Sequence, residues 1–250
     1  MITTSTSTSI ISPVLPTTTT IPTEVSIHDL GILKFTFICT YIILLTTATI
    51  TIIEALRTKI PYIRHVLNLE TAISLIAGYF YSIFVLKIEK YEENHVSIDW
   101  KEISKTRYID WSITTPLMLI TLCLVLGKQA IPSRVIHVPT ILSIIGLNYI
   151  MLMIGYMGEI NIIPKWIAST IGFLPFFGMY YLIFQYFVGW KAPSCCYILY
   201  GIYFIIWSMY GIVYLFNEEN KNICMNILDL FAKCFIGLGL WAQYTKVIVI

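Results

Sequence analysis

Long apolar runs without charge dominate the hydrophobic pattern of this chain. A bilayer core about 30 Å thick is crossed by roughly 20 apolar residues of helix. Six runs contain no Lys, Arg, Asp or Glu: Phe35–Ile53, Thr71–Leu86, Trp111–Gly127, Val135–Gly158, Trp166–Trp190 and Ala192–Asn217. A seventh run, Ile223–Gln243, is interrupted by Asp229 and Lys233. Because none of them alternates with period 2 as a transmembrane strand does, we predict an all-α membrane protein, a bundle of seven transmembrane helices.

Composition supports the membrane assignment. Of 250 residues, 57% are hydrophobic and 12% charged, and the mean hydropathy is +0.79, which excludes the soluble classes. The net charge of +2 gives no large field of one sign, so we expect the lipid bilayer and not nucleic acid as the main partner. The six cysteines form no C-x-x-C pair, and we interpret them as free thiols, without a disulfide or a metal site.

Two polar segments stand apart from the apolar runs. Residues 1–26 contain fourteen Ser or Thr and three Pro. We predict a mobile tail over residues 1–28, not a cleavable signal peptide, and a seven-helix domain over residues 29–250. The segment Lys87–Arg107 holds ten of the thirty formal charges, which predicts a loop long enough to form a lid.

The direction of insertion is less strongly encoded. Seven spans place the two termini on opposite sides of the membrane. Basic residues are about equally frequent on both faces, so the positive-inside rule does not decide between them. Acidic residues are concentrated on the face that carries the N-terminus. We expect an integral, multi-pass protein with an extracellular N-terminus and a cytoplasmic C-terminus.

Four charged residues lie within or beside two spans. Asp229 and Lys233 are spaced i, i+4, and Arg107 and Asp110 at the start of the third span are spaced i, i+3. Each charge costs about 2.5–3.5 kcal/mol at a helix centre and so requires a partner. One interpretation is a structural quartet that pins the third span to the seventh. The other is chemical, because a desolvated neutral lysine forms an imine with an aldehyde, for which the two aspartates could supply the counter-charge.

Three motifs resemble the microbial, or type 1, rhodopsins of the bacteriorhodopsin kind. Arg107–Leu117 reads R-Y-I-D-W-S-I-T-T-P-L and closely resembles the family's third-helix signature R-Y-x-D-W-x-x-T-T-P-L. Asp229–Lys233 resembles the D-x-x-x-K that contains the retinal-binding lysine. Trp207–Gly211 is similar to the sixth-helix W-x-x-Y-P, with Gly211 where proline is usual.

This resemblance implies a role for each charged residue. Lys233 would carry all-trans retinal as a protonated Schiff base, with Asp110 as the primary counterion and proton acceptor. Asp229 would be the second counterion, Arg107 would gate the extracellular side, and Thr114 would hydrogen-bond the acceptor.

The resemblance also implies the lining of an internal retinal pocket. The residues that it assigns to the pocket are Trp111, Thr115, Met118, Met151, Gly155, Trp166, Ser169, Trp207 and Tyr210. An apolar residue at position 118 suggests absorption of green and not of blue light. Taken alone, each aromatic residue is also compatible with ordinary packing or an interfacial anchor.

One position departs from the best-known proton pump. Thr121, eleven residues after Asp110, stands where that pump has an aspartate that returns a proton from the cytoplasm. Threonine cannot act as that acid, so we expect reprotonation to be slow and to depend on water. The Asp-Thr-Thr triplet at positions 110, 114 and 121 excludes chloride pumps, differs from sodium pumps and resembles some algal and viral rhodopsins.

Three further polar residues favour another activity. Glu70, Asn226 and Glu54 could line a hydrated ion pathway, as channel-forming members of the family carry glutamates in the second helix. Alternatively, Glu70 snorkels to the surface or pairs with Arg57 or Arg64.

We therefore rank three functions, none of them enzymatic. A light-driven outward proton pump comes first, then a light-gated cation channel, then a sensory photoreceptor. The expected partners are protons or small cations, and the sequence is compatible with a homo-oligomer. Glu218 and Glu219 are candidates for extracellular proton release by location alone.

Overall fold

A computed structural model describes residues 27–130 and 138–247, and in this part of the chain seven apolar helical spans confirm the predicted bundle. The α-helices are α1 (Ile27–Arg57), α2 (Pro61–Glu93), α3 (Trp100–Ala130), α4 (Val138–Glu159), α5 (Lys165–Ile183), α6 (Ser194–Val213), α7 (Glu218–Asp229) and α8 (Ile236–Tyr244). A π-helix, Phe184–Val188, extends α5, and a second, Leu230–Phe235, joins α7 to α8 in the seventh span. The tail predicted for residues 1–28 lies almost wholly outside the described residues.

The predicted lid between the second and third spans is wrong. Helix α2 continues to Glu93 and α3 already begins at Trp100, so that only residues 94–99 connect them. Charged residues beyond the apolar runs lie within these helices and form ion pairs between them. Lys87 Nζ lies 3.0 Å from Glu102 Oε1, and Lys34 Nζ lies 2.8 Å from Glu92 Oε2.

Helix α3 is the most enclosed span of the bundle. In the most apolar 18 residues of α3, 67% of residues are buried, compared with 17% in the corresponding stretch of α4. Pro116 within α3 has no N–H to donate to the carbonyl of Ser112, and Tyr149 Oη of α4 donates to that carbonyl at 3.0 Å instead. Seven polar residues of α3 are buried among the helices: Ser104, Thr106, Arg107, Asp110, Thr114, Thr115 and Thr121.

The spans alternate in direction, which defines two ends of the bundle. We call the end where α1 begins and α2 ends the N-terminal side, and the end where α8 terminates the C-terminal side. Along the seventh span Asp229 lies nearer the N-terminal side than Lys233, and Gly237 lies nearer the C-terminal side. Lys233 belongs to the second π-helix, a wider turn of the kind that often occurs at functional sites.

Candidate functional site

A buried ion triad joins α3 to the seventh span. Lys233 Nζ donates a hydrogen bond of 2.8 Å to Asp110 Oδ2 and one of 3.2 Å to Asp229 Oδ2. All three side chains are buried. The structure thus brings together the lysine and both carboxylates that the sequence singled out, across 123 positions of chain between Lys233 and Asp110.

Asp229 is held by donors from several helices. Tyr81 Oη of α2 donates to its Oδ2 at 2.8 Å, and Tyr210 Oη of α6 donates to its Oδ1 at 2.5 Å. Arg107 Nη1 lies 3.8 Å from Oδ2. Hydrogen bonds to an ionised acceptor are roughly twice as strong as neutral ones, so this arrangement favours a carboxylate at Asp229.

The Asp110 carboxylate accepts fewer hydrogen bonds than that of Asp229 in the described part of the chain. Its Oδ2 accepts from Lys233, and its Oδ1 has no hydrogen-bond partner among the described residues. Thr114 does not fill this place, contrary to the expectation that it hydrogen-bonds the carboxylate. Its Oγ1 donates instead to the backbone carbonyl of Asp110 at 2.9 Å, the usual bond of a helical threonine to the residue four positions earlier.

Arg107 lies in a polar network on the N-terminal side of Lys233. Its Nη2 donates to Asn226 Oδ1 at 2.8 Å and to Asn222 Oδ1 at 3.0 Å. The guanidinium carbon also lies 5.0 Å from the centre of the Phe84 ring. This contact is within the range of a cation–π interaction, which helps to stabilise a charge that water does not reach.

A cavity with about 820 Å³ of empty volume, counting its open part, lies beside Lys233 and Asp229. Eight of the nine predicted pocket residues line it: Trp111, Thr115, Met118, Met151, Gly155, Ser169, Trp207 and Tyr210. Gly172 also lines it, and a Cβ there would meet no atom within 4 Å. Aromatic walls together with a lining lysine suit an apolar ligand that carries a group reactive toward an amine.

Trp166 does not line this cavity. The residue is 66% exposed, and it shares an outer face of α5 with the exposed Thr170 and Leu174 at i+4 and i+8. Ala168 and Ser169 of the same helix face the cavity instead. The assignment of Trp166 to the pocket is therefore wrong in this structure, because its position on the helix directs it outward.

Several residues of the site were missed in the sequence. Tyr81 and Asn222 hydrogen-bond Asp229 and Arg107, and Asn148 of α4 donates to Thr115 Oγ1 at 2.8 Å. Asn148 carries the only side-chain amide of α4. An amide within an apolar span could have predicted a hydrogen bond to another helix. Tyr81 gave no such signal, because tyrosine is common in apolar runs.

A second buried ion cluster lies at the N-terminal side. Lys221 Nζ lies 2.8 Å from Glu159 Oε1 and 2.7 Å from Glu218 Oε2, and Lys165 is paired with Glu218 as well. Ser104 Oγ donates to Glu159 Oε2 at 3.0 Å. Glu218, a candidate for proton release, therefore lies in an ion-paired cluster, and Lys233 is not the only lysine buried in a helix.

The three predicted ion-pathway residues lie at different depths. Asn226 belongs to the Arg107 network. Glu54 is at the end of α1, 4.0 Å from Arg57. Glu70 of α2 is buried, and neither predicted arginine pairs with it, since Arg57 lies beside Glu54 and Arg64 donates to the carbonyl of Thr58. Both alternatives, snorkelling and pairing, are therefore wrong for Glu70.

Thr121 lies on the C-terminal side of Asp110 along α3. It is buried, and its Oγ1 donates to the carbonyl of Leu117 at 3.0 Å. The hydroxyl thus has its proton engaged within its own helix.

Comparisons with known proteins place the chain among retinal proteins. Residues 32–247 match the family described as bacteriorhodopsin-like protein. The crystal structure of viral rhodopsin OLPVRII is 40% identical, with a TM-score of 0.80, and the match covers 87% of this chain and 99% of that one. Green-light absorbing proteorhodopsin from Gamma-proteobacterium EBAC31A08 is 27% identical over 56% of this chain and 61% of its own length.

Bacteriorhodopsin from Halobacterium salinarum is 28% identical over 54% of this chain and 53% of its own length. The chain thus matches between half and two thirds of the length of these two curated relatives.

Proposed function

Because this chain belongs to the bacteriorhodopsin-like family of retinal-binding rhodopsins, we propose that it is a light-driven outward proton pump. Retinal, bound in the all-trans form to Lys233 as a protonated Schiff base, would supply light absorption and a light-induced change of shape. Side chains of this protein would accept the proton, balance its charge and provide its route of release.

The cavity suits this chromophore. Lys233 is one of its lining residues, and apolar and aromatic residues of α3 to α6 form much of the walls. Trp111 and Trp207 would hold the chain of the ligand from two helices, and Met118 and Met151 would pack along it. The ion partners of Lys233 would keep the proton on Nζ in the dark.

The asymmetry between the two aspartates carries the proposal. Tyr81 and Tyr210 donate to Asp229 and favour its anionic form, whereas Asp110 Oδ1 has no hydrogen-bond partner among the described residues and Asp110 Oδ2 lies 2.8 Å from Lys233 Nζ. After illumination, the proton at Nζ would pass to Asp110 and neutralise that carboxylate. Asp229 would stay charged, because two hydroxyl donors and Arg107 balance it.

The direction of transport follows from where the polar groups lie. Arg107, Asn222 and Asn226 continue from Asp110 toward the N-terminal side. A proton released from Asp110 would leave on that side, and with an extracellular N-terminus this movement is outward. Arg107 would respond to the loss of charge at Asp110 because it can shift among its amide partners.

Light-evoked current under voltage clamp tests the proposal. The retinal-loaded protein is expressed in a cell membrane and illuminated with proton and cation gradients set in either direction. We expect an outward current that keeps its sign against an opposing gradient. A current that reverses with the gradient would reject the pump.

A light-gated cation channel is the second candidate, and one observation favours it. Amide and hydroxyl groups hydrogen-bond between helices at two levels, Asn226 of α7 with Thr36 of α1, and Thr51 of α1 with Thr71 of α2. Such a polar seam could hydrate. It ranks second because the Arg107 network closes it on the N-terminal side with hydrogen bonds of 2.8 and 3.0 Å.

A further inference from the structure

Glu70 is a buried carboxyl group that forms no ion pair with any residue that the structure describes. The residue is 2% exposed, and its Oε1 has no hydrogen-bond partner within the described part of the chain. Such a group is costly to keep, because a buried carboxylate needs an opposite charge or several donors. The neutral acid is therefore the stable form at this position.

The carboxyl of Glu70 lies one helical turn from Lys233. An ideal Cβ built on Gly237 would lie 2.9 Å from Glu70 Oε2 and 3.3 Å from Thr47 Cγ2. Gly237 follows Lys233 by four residues, which is about 6 Å along a helix axis. Because Gly237 has no side chain, the carboxyl of Glu70 can approach the seventh span directly below Lys233, on the C-terminal side.

Ser74 provides a second polar group on the same path. It follows Glu70 by four residues on the same face of α2, is buried, and its Oγ also has no partner among the described residues. Helix α2 and the seventh span are antiparallel. The step from Glu70 to Ser74 and the step from Gly237 to Lys233 therefore both lead one turn toward the N-terminal side. Two unpartnered polar atoms thus lead from the level of Gly237 to the level of Lys233.

Among residues 27–130 and 138–247, no charged side chain faces Glu70. The titratable groups that face it are Tyr203 of α6, Cys234 of the second π-helix and Tyr244 of α8. All three are neutral in their ordinary state at neutral pH. Within residues 27–130 and 138–247, no ion pair of Glu70 occurs.

We propose that Glu70 is the internal proton donor of this protein, a role that Thr121 cannot fill. The inference rests on the proposed pump and supplies its uptake step. The O–H bond of the Glu70 carboxyl breaks and an N–H bond forms at Lys233 Nζ, with Ser74 Oγ taking one proton and giving up its own. The Glu70 carboxylate left behind then takes a proton from the medium on the C-terminal side.

Infrared spectroscopy of the retinal-free protein tests the first requirement. We expect the parent to show the carbonyl stretch of a protonated carboxylic acid, and Glu70→Gln to lose one such group. Glu54→Gln is the matched control and should keep the band, because the Glu54 side chain is partly exposed and lies beside Arg57. If Glu70→Gln leaves the carboxylic-acid band unchanged, Glu70 is ionised and the donor assignment is rejected.

Flash photolysis of the retinal-loaded protein tests the transfer itself. The return of the proton to Lys233 Nζ should be nearly independent of pH in the parent. In Glu70→Gln the return should slow by at least about tenfold and then fall about tenfold per unit rise of pH, since protons must arrive from the medium. A small membrane-permeant weak acid should restore the rate, and Ser74→Ala should slow the return less than Glu70→Gln does.

The two proposals fail in different ways. The donor assignment is overturned if proton return to Lys233 Nζ in the parent already slows about tenfold per unit rise of pH. It is also overturned if Glu70→Gln returns the proton as fast as the parent. In either case a light-evoked current that keeps its sign would leave the pump proposal standing. A light-evoked current that reverses with the gradient overturns the pump and, with it, the donor.

Discussion

Tyr81 donates a hydrogen bond of 2.8 Å to Asp229 Oδ2, across 148 positions of chain. The same oxygen lies 3.2 Å from Lys233 Nζ and 3.8 Å from Arg107 Nη1. Asp229 Oδ2 therefore has three polar neighbours and its Oδ1 accepts from Tyr210, whereas the Asp110 carboxylate accepts a single hydrogen bond from the described residues, that of Lys233. This difference in hydrogen bonding distinguishes the two aspartates, whose ranking as primary and second counterion otherwise rests on the family resemblance.

Lys233→Ala should abolish retinal binding, because the cavity then lacks an amine to bind the aldehyde. The measurement is visible absorbance of the purified protein after addition of retinal. Lys221→Ala is the matched control, since Lys221 is equally buried, is paired with Glu159 and does not line the cavity. Absorbance that persists in Lys233→Ala without an added amine would contradict the attachment site.

Asp110→Asn should shift the visible absorbance of the loaded protein to the red. The substitution removes the negative charge 2.8 Å from Lys233 Nζ, where Coulomb interactions are strong because water is excluded. Acidification of the parent should produce the same shift as Asp110 takes up a proton. If spectral titration finds no acid transition and Asp110→Asn matches the parent, Asp229 is the dominant counterion.

Tyr81→Phe should destabilise the protein by about 1.5–3 kcal/mol, the usual worth of a hydrogen bond to a charged group. The expected cause is the loss of a donor to the buried Asp229. Tyr79→Phe on the same helix is the control, because Tyr79 is exposed and should leave the thermal midpoint unchanged. Equal midpoints for the two variants would show that Tyr81 contributes nothing to holding the carboxylate.

Trp166→Ala should leave the absorbance maximum of the loaded protein where it is in the parent, because Trp166 faces away from the cavity. Trp207→Ala should shift the maximum or reduce the yield of pigment, since Trp207 lines the cavity. Absorbance spectra of the two variants decide this. A large shift in Trp166→Ala would restore this tryptophan to the pocket.

Thr121→Asp should restore fast return of the proton to Lys233 Nζ when it is introduced into Glu70→Gln. An aspartic acid in this buried position supplies a proton from within the protein and removes the dependence on the medium. Flash photolysis at several pH values compares the double variant with Glu70→Gln. If the double variant stays slow and pH-dependent, position 121 does not communicate with Lys233.

The seven spans could be predicted from sequence because hydropathy is a local property and a bilayer imposes a minimum length on each helix. The three motifs likewise identified Lys233, Asp110, Asp229 and Arg107, which the structure places together. The lid predicted between the second and third spans failed for a related reason. Hydropathy marks where a helix leaves the bilayer, whereas the backbone hydrogen bonds of α2 continue beyond that point.

Only the tertiary structure decided how these groups divide their hydrogen bonds. The donors of Asp229 come from α2, α6 and the seventh span, and the position of Glu70 against Gly237 depends on how two antiparallel helices pack. Trp166 shows the same dependence, since a motif gives a residue its place in the chain but not the direction of its side chain. Partnerships across more than a hundred residues are set by the rotation and spacing of whole helices, which no local pattern encodes.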